Sequence, residues 1–148
     1  MARRTGILAA IAALVSGCSA TAALNALVPA TTYEGREGVS YGSGPRQMLD
    51  VYQPLPGKAA APPIVVFFYG GNWESGERAN YRFVGEFLAA SGAIAVIPDY
   101  RLYPQVRYPD FLKDCAAAVA WAFANARALG GDPARIYVMG HSAGAYNA

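Results

Sequence analysis

The sequence has few of the residue types that hold metals or form disulfide bonds. It contains one histidine and two cysteines in 148 residues, and no cluster has the spacing of metal ligands. These counts argue against a zinc site, and we expect neither a metal nor another cofactor. Two cysteines also permit at most one disulfide bond within the chain.

Charged residues are scarce as well. Asp, Glu, Lys and Arg make up 15% of the sequence, the net charge is only +2, and no basic stripe occurs. This composition argues against nucleic-acid binding. Neither Gly-x-x-x-x-Gly-Lys-Ser/Thr nor Gly-x-Gly-x-x-Gly is present, which argues against a nucleotide site. What remains is an apolar sequence, rich in glycine, proline and aromatics, of the kind found in globular α/β proteins.

The amino terminus lacks an apolar run long enough to span a bilayer in the usual way. Arg3 and Arg4 precede an apolar stretch at 7–15, and Val-Ser-Gly follows directly before Cys18. This pattern resembles a bacterial lipobox, in which cleavage leaves the lipid on Cys18. An ordinary secretory signal that happens to contain cysteine is the alternative, and both predict export.

We therefore predict a lipoprotein signal peptide over 1–17, a tether over 18–35 and a folded domain over 36–148. The expected location is the bacterial cell envelope, with the protein held at the membrane or in the periplasm by a lipid anchor. Once Cys18 is acylated, Cys115 has no intramolecular partner, and its alanine-rich helical surroundings predict a buried position.

The motif Gly-His-Ser-Ala-Gly at 140–144 carries the strongest chemical signal. It follows an apolar stretch, 136–139, that is typical of a short buried strand. A sharp strand-to-helix turn at this point would strain the backbone of Ser142 and leave its hydroxyl exposed, as in a nucleophile elbow. A plain Ser/Gly turn is the alternative.

A second motif supports the elbow. The apolar, β-rich stretch 64–69 ends in Gly70 and Gly71. A glycine pair at the end of a central strand can direct backbone N–H groups into a cleft. The predicted oxyanion hole consists of the N–H groups of Gly70, Gly71 and Ala143, facing the Ser142 nucleophile.

Several further motifs follow in a characteristic order: Tyr-Gly-Gly-Asn-Trp at 69–73, Ser-Gly at 75–76, Pro-Asp-Tyr-Arg-Leu at 98–102 and Gly-Gly-Asp-Pro at 130–133. With the elbow, they make 39–148 resemble the N-terminal half of an α/β-hydrolase-fold carboxylesterase. The similar branch contains hormone-sensitive-lipase-like esterases, bacterial feruloyl-esterase-like enzymes and prenylcysteine methylesterases. The resemblance implies a serine carboxylic-ester hydrolase that acts on a small-molecule ester through an acyl-enzyme. Many members carry histidine where this chain has Tyr69.

The fold class predicted is a truncated α/β-hydrolase fold. Strands at 37–41 and 47–52 form an antiparallel hairpin, and a parallel β-α-β-α-β sheet then ends at the elbow. Its strands are 64–69, 93–97 and 136–139, and its helices cover about 79–92 and 110–129. The helix faces predicted to be buried are Tyr81, Val84, Phe87 and Leu88 in the first, and Leu112, Cys115, Val119 and Phe123 in the second.

The loop 99–109 is rich in tyrosine and arginine. We expect Asp99 and Arg101 to brace this loop, since no step of the reaction requires them. The tyrosines and Arg107 are candidates for the wall of an acyl or alcohol pocket. Trp73 is expected to pack under the diglycine loop, with a pocket-wall position as the alternative.

Ser142 has no histidine after it in the sequence. His141 is adjacent, and neighbouring side chains of an elbow point in different directions, so we expect it to pack or to form a hydrogen bond beneath the turn. The resemblance implies an Asp or Glu and then a His beyond residue 148. We therefore expect the sequence to be part of a longer esterase, inactive alone and poorly soluble because 136–139 would form an exposed apolar edge.

Two alternatives stay open at this point. One is an amide or peptide hydrolase of the same fold, and the other is a non-catalytic envelope lipoprotein that keeps the scaffold. The natural ester and the oligomeric state do not follow from the sequence.

Overall fold

A mixed five-stranded sheet is the framework of the protein. We describe residues 20–29, 31–57 and 60–148 in a computed structural model. Their elements, in chain order, are α1 (Ala20–Ala26), β1 (Tyr33–Ser40), β2 (Met48–Pro54), β3 (Ile64–Phe68), a 3₁₀ helix (Arg78–Tyr81), α2 (Arg82–Ala90), β4 (Ile94–Pro98), α3 (Asp110–Asn125), β5 (Ile136–Gly140) and α4 (Ala143–Asn147).

The strand order is β1-β2-β4-β3-β5. The β1–β2 and β2–β4 pairs are antiparallel, whereas β4–β3 and β3–β5 are parallel. The predicted hairpin followed by a parallel sheet is therefore confirmed. Because Phe68 pairs with Gly140, the carboxyl ends of β3 and β5 lie side by side. The loops that follow these two strands therefore start next to each other.

Strands β3 and β4 form the centre of the core. Ile64, Val66, Ile94 and Ile97 have no exposed surface, since these strands have neighbours on both edges and cover on both faces. Strand β5 was predicted to be buried, and that interpretation is wrong for the described chain. Its apolar residues 137–139 are about half exposed, because β5 lies at the edge of the sheet. The expected apolar edge is thus confirmed.

The two longer helices pack most of the predicted residues against the core, since Tyr81, Val84, Leu88, Leu112 and Val119 are partly buried against it, but one phenylalanine in each is exposed. In α2, Gly85 and Ala89 are buried while Phe87 is 65% exposed. In α3, Cys115 is buried as expected, but Phe123 is 54% exposed. The buried residues of α3 are Phe111, Asp114, Cys115, Ala118 and Ala122. Small side chains face the sheet because they let each helix approach it closely, and the bulky residues are displaced to the sides.

The amino-terminal part of the described chain is more structured than a tether. Helix α1 and the start of β1 at Tyr33 fall within 18–35, so the first strand begins four residues before the predicted position 37. Asn25 joins α1 to the body of the protein through Ala79 O (2.7 Å) and Phe83 N (3.1 Å). The predicted signal peptide and Cys18 lie outside the described residues.

None of the helices described here is both long and apolar enough to cross a membrane.

Candidate active site

Ser142 lies on a strained turn between β5 and α4. Its φ and ψ angles are 55° and −122°, a region that side-chain-bearing residues rarely adopt. The turn is fixed by His141 N–H donating to Phe68 O (3.1 Å) and Gly144 N–H donating to His141 O (2.9 Å). Ser142, which carries the hydroxyl, is exposed. The conformation is that of a nucleophile elbow.

The two glycines of the motif are required by close backbone contacts. A Cβ atom at Gly140 would lie 2.2 Å from Gly144 O, and one at Gly144 would lie 2.0 Å from Phe68 O. Neither position has room for a side chain, because backbone atoms occupy the space on both sides. Close packing of the backbone therefore explains why both glycines of the motif are needed in this chain.

The diglycine loop lies against the elbow. A Cβ atom on Gly70 would be 2.9 Å from Ser142 Cβ, which shows how closely the two loops approach. The next residue, Gly71, has a φ angle of 136° and accepts hydrogen bonds from the N–H groups of Glu74 and Ser75 (both 3.0 Å). The structure thus brings together the motifs that the sequence placed 70 residues apart.

The N–H groups predicted to form the oxyanion hole have no acceptor among the described residues. Within the part of the chain that the structure describes, no hydrogen bond is donated by Gly70, Gly71 or Ala143. Ala143 follows the serine directly as the first residue of α4. Unused donors beside a serine hydroxyl are what stabilisation of a tetrahedral oxyanion requires.

Tyr69, directly before the diglycine, is buried beneath the loop. Its ring stacks between Tyr81 and Tyr100, with centroids 5.6 and 4.9 Å away. Its hydroxyl donates to Asp99 Oδ1 (2.7 Å) and accepts from Arg46 Nη2 (2.8 Å). Burial, reinforced by the Asp99 carboxylate, raises the pKa of Tyr69 far above its usual value. The phenol therefore stays protonated and acts as a hydrogen-bond donor.

Asp99 and Arg101 both make contacts that brace the loop, but each does so with another residue and not with the other member of the pair. Asp99 accepts hydrogen bonds from the backbone N–H and the guanidinium of Arg78. Arg101 pairs with Asp114 of α3 through Nε (2.8 Å). The loop after β4 is thereby tied to two different elements.

A cavity of about 370 Å³ opens beside the diglycine loop. Trp73 lines it and also packs beneath the loop, stacking on Phe111 at 5.5 Å and donating to Asn147 Oδ1 at 2.9 Å. Tyr103, Arg107 and Tyr108 line the same cavity, as the sequence suggested. Tyr100 does not, since it is fully buried below Tyr69.

His141 does not serve Ser142. Its side chain belongs to an exposed residue and borders an apolar cavity of about 290 Å³, together with Phe67, Tyr81 and Met139. The prediction that it packs beneath the elbow is therefore wrong: its ring lies beside the diglycine loop, where a Cβ atom added to Gly70 would be 3.1 Å from His141 Nδ1. His141 is the single histidine of the sequence, and among the residues described its side chain makes no hydrogen bond with Ser142.

In the described ranges 20–29, 31–57 and 60–148, no three His, Cys, Asp or Glu side chains lie together as they would to hold a metal ion.

Arg46 was missed by the sequence reasoning. It follows a Gly-Ser-Gly-Pro turn and belongs to no motif, yet it reaches Tyr69, Gly76 and Tyr100. Nothing local in the sequence indicates contacts 23 to 54 residues away.

The chain matches a known protein family and is similar in sequence to several known proteins. A family model described as BD-FAE matches residues 49–148. A probable isoprenylcysteine α-carbonyl methylesterase of Arabidopsis thaliana is 41% identical over 111 residues, covering 75% of this chain and 26% of the relative. The esterase LipC of Mycobacterium tuberculosis is 41% identical over 117 residues, covering 77% of this chain and 28% of LipC.

Among solved structures, an inhibited esterase B from Lactobacillus rhamnosis superposes with a TM-score of 0.79 at 26% identity. The match covers 97% of this chain and 46% of that one. The chain thus spans about a quarter of the length of these curated relatives, and about half of this solved structure.

Proposed function

Because the chain belongs to the BD-FAE family of α/β-hydrolase-fold proteins, we propose that it carries the nucleophile and oxyanion hole of a serine carboxylic-ester hydrolase. The observation that carries the proposal is the contact between the strained Ser142 turn and Gly70. The proposal is further supported by the N–H groups of Gly70, Gly71 and Ala143, which donate to no acceptor among the described residues.

In the proposed reaction, Ser142 Oγ attacks the carbonyl carbon of a small-molecule ester. The carbonyl oxygen becomes an oxyanion, which accepts hydrogen bonds from the N–H groups of Ala143, Gly70 and Gly71. Collapse of this intermediate expels the alcohol and leaves an acyl-serine, which water then hydrolyses. The serine proton passes to a histidine held by an Asp or Glu.

We place that acid and that histidine in the sequence after residue 148, in the order Ser, acid, His. The relatives are longer than this chain, and no histidine in the described ranges reaches Ser142. Residues 20–148 produced alone should therefore not hydrolyse p-nitrophenyl butyrate, whereas the full product of the gene should. Turnover by residues 20–148 that depends on Ser142 would contradict this placement.

The test of the nucleophile uses the full gene product and a fluorophosphonate probe. Ser142→Ala should abolish labelling and lower kcat for a p-nitrophenyl ester by about 10⁴-fold or more. Ser91→Ala is the matched control, because Ser91 lies at the end of α2 and bonds only Phe87 O. Labelling of Ser142→Ala at the wild-type rate would contradict the assignment of Ser142 as the nucleophile.

Ester hydrolysis, as opposed to amide hydrolysis, is proposed because LipC and the Arabidopsis relative are named as an esterase and a methylesterase. A p-nitrophenyl ester and the p-nitroanilide of the same acid separate the two. We expect turnover of the ester and little of the anilide, and the reverse ranking would identify an amidase.

We further propose that the protein is exported and anchored by a lipid on Cys18. The support is the sequence pattern before that residue. Radiolabelled palmitate should be incorporated into the wild type and not into Cys18→Ala. Equal incorporation into both would place the lipid elsewhere.

A further inference from the structure

The loop that carries the diglycine has an unfavourable backbone. Gly71 and Gly76 have φ angles of 136° and 102°, and Asn72 and Trp73 between them have φ angles of 55° and 58°. A bulky residue such as tryptophan rarely adopts the left-handed region. A loop of this conformation persists only when its surroundings hold it in place.

Arg46 joins the two ends of this loop. Its Nη2 donates both to the hydroxyl of Tyr69, before the diglycine, and to the carbonyl of Gly76, after it (2.8 Å each). Its Nε donates to Tyr100 O (2.8 Å). One planar guanidinium thus fixes the entrance of the loop, its exit and the neighbouring strand end.

Tyr69 is fixed at three points. Its hydroxyl is bonded to Asp99 and Arg46, its ring lies between two other tyrosine rings, and its carbonyl accepts the Tyr100 hydroxyl (2.7 Å). The residue has no exposed surface. Since Gly70 is its direct neighbour in the chain, any movement of Tyr69 moves the Gly70 amide.

Asp99 is itself immobilised. Arg78 donates to it from the backbone N–H (2.8 Å) and from the guanidinium, and Arg78 Nε is bonded to Asp50 (2.7 Å). Asp50 and Asp99 are 2% and 4% exposed. The network under the loop is therefore a rigid base and not a solvated surface cluster.

We propose that Arg46 and Tyr69 form a clamp: both are positioning residues that hold the amides of Gly70 and Gly71 toward the oxyanion at Ser142. The inference rests on the proposed function, and it names residues that act through the loop without touching substrate. Oxyanion donors stabilise a transition state only when they are already oriented, so loosening the loop lowers the rate of acylation while substrate binding is retained.

The test compares Arg46→Lys with Arg135→Lys in the full gene product. Lysine keeps the charge at position 46 but lacks the fork that reaches three acceptors. We expect kcat to fall by roughly 10- to 100-fold with KM changed by less than about twofold, because only oriented donors are lost. The rate of fluorophosphonate labelling should fall by the same factor.

Arg135 is the matched control because it also bonds a carboxylate and a carbonyl, those of Asp132 and Ala61, in an exposed turn. Its lysine variant should keep wild-type kcat. Tyr69→Phe tests the second half of the clamp, since it removes one oxygen and keeps the stacked ring. Tyr69→Phe also provides the test of the proposal if Arg46→Lys does not fold.

Hydrogen exchange over 69–77 gives a readout that does not depend on catalysis. Faster exchange there in Arg46→Lys, at a temperature where circular dichroism shows a folded protein, would support the clamp. Unchanged kcat with a lowered Tm would show that Arg46 is merely structural and overturn the proposal. A wild type that neither labels nor hydrolyses esters would instead remove the proposed function, and with it the catalytic role of the clamp.

Discussion

At the scale of single residues, Gly70 is the position where the two halves of the site meet. A Cβ added there would lie 2.9 Å from both Ser142 Cβ and His141 O, closer than such atoms approach in proteins. The loop or the elbow must therefore shift in Gly70→Ala. Because misplaced oxyanion donors cost about 10²- to 10³-fold, we expect kcat for a p-nitrophenyl ester to fall by about that factor.

The control for Gly70→Ala is Gly92→Ala. Gly92 has a φ angle of 89° and nothing within 4 Å of its added Cβ, so the substitution strains the backbone far from the elbow. It should lower the Tm and leave kcat close to the wild-type value. A similar loss of kcat in both variants would mean that backbone strain, and not the contact with Ser142, explains the effect.

The same residues show what a sequence can and cannot predict about a site. Ser142, Gly70 and Gly71 could be predicted as site residues because each lies in a short motif whose residue types are dictated by local geometry. Arg46 was not, because its role depends on Tyr69 and Gly76, which only the folded chain brings within 2.8 Å. Contacts of this kind leave no local pattern.

At the scale of elements, α2 is capped by another helix. Its own N-cap residue makes no side-chain hydrogen bond, and Asn25 of α1 accepts the N–H of Phe83 instead (3.1 Å). The side-chain amide of Asn25 also donates to Ala79 O (2.7 Å). Asn25→Ala should therefore lower the free energy of unfolding by about 1 kcal/mol, as lost caps do.

Urea unfolding of the wild type and Asn25→Ala would measure this difference. Leu27→Ala is a suitable control, because Leu27 is 80% exposed at the end of α1 and should change stability by less than about 0.5 kcal/mol. Equal effects of both changes would indicate that α1 contributes through general packing and not through the cap.

Asp114 makes the attachment of α3 sensitive to acid. Burial alone would raise the pKa of this carboxyl, but hydrogen bonds from Arg101 and Gln47 outweigh burial and lower its pKa below the usual value. A lowered folded-state pKa stabilises the fold above the unfolded value, near 3.9, and this stability is lost as the pH falls through the folded value.

Urea unfolding between about pH 6 and pH 2 should therefore show a steeper loss of stability in the wild type than in Asp114→Asn. The two curves should converge at the acid end, where the carboxyl is protonated in both states. Parallel curves would mean that Asp114 does not titrate differently on folding.

Helix faces mark the limit of prediction at this scale. The sequence predicted α3 and the burial of Cys115, but it placed Phe123 inside, where the structure has Ala118 and Ala122. Periodicity identifies a helix and its apolar side. Which neighbouring stripe faces the sheet depends on the space left by β3 and β4, and that space is set by residues distant in sequence.

At the scale of the whole molecule, the alternation of strands and helices was enough to predict the architecture. It was not enough to predict burial, because a strand's exposure depends on its neighbours in the sheet. Strands β4 and β5 are similarly apolar, yet one lies between β2 and β3 and the other at the edge. The sheet is therefore open along β5, which forms one of its two edges and exposes apolar side chains there.

That open side makes a prediction about association. Tyr137, Val138 and Met139 are 55%, 45% and 46% exposed. Among the strands described, β5 pairs with β3 alone, so its other edge presents backbone groups that no described strand pairs with. Such an edge is a template for pairing with another strand.

Residues 20–148 produced alone should form concentration-dependent oligomers, detected by light scattering. Val138→Lys should suppress them, because a charged side chain on an edge strand disfavours docking of a second strand. Leu27→Lys places the same charge at an exposed leucine directly after α1 and should have little effect. Equal suppression by both would show that overall charge, and not the β5 edge, controls association.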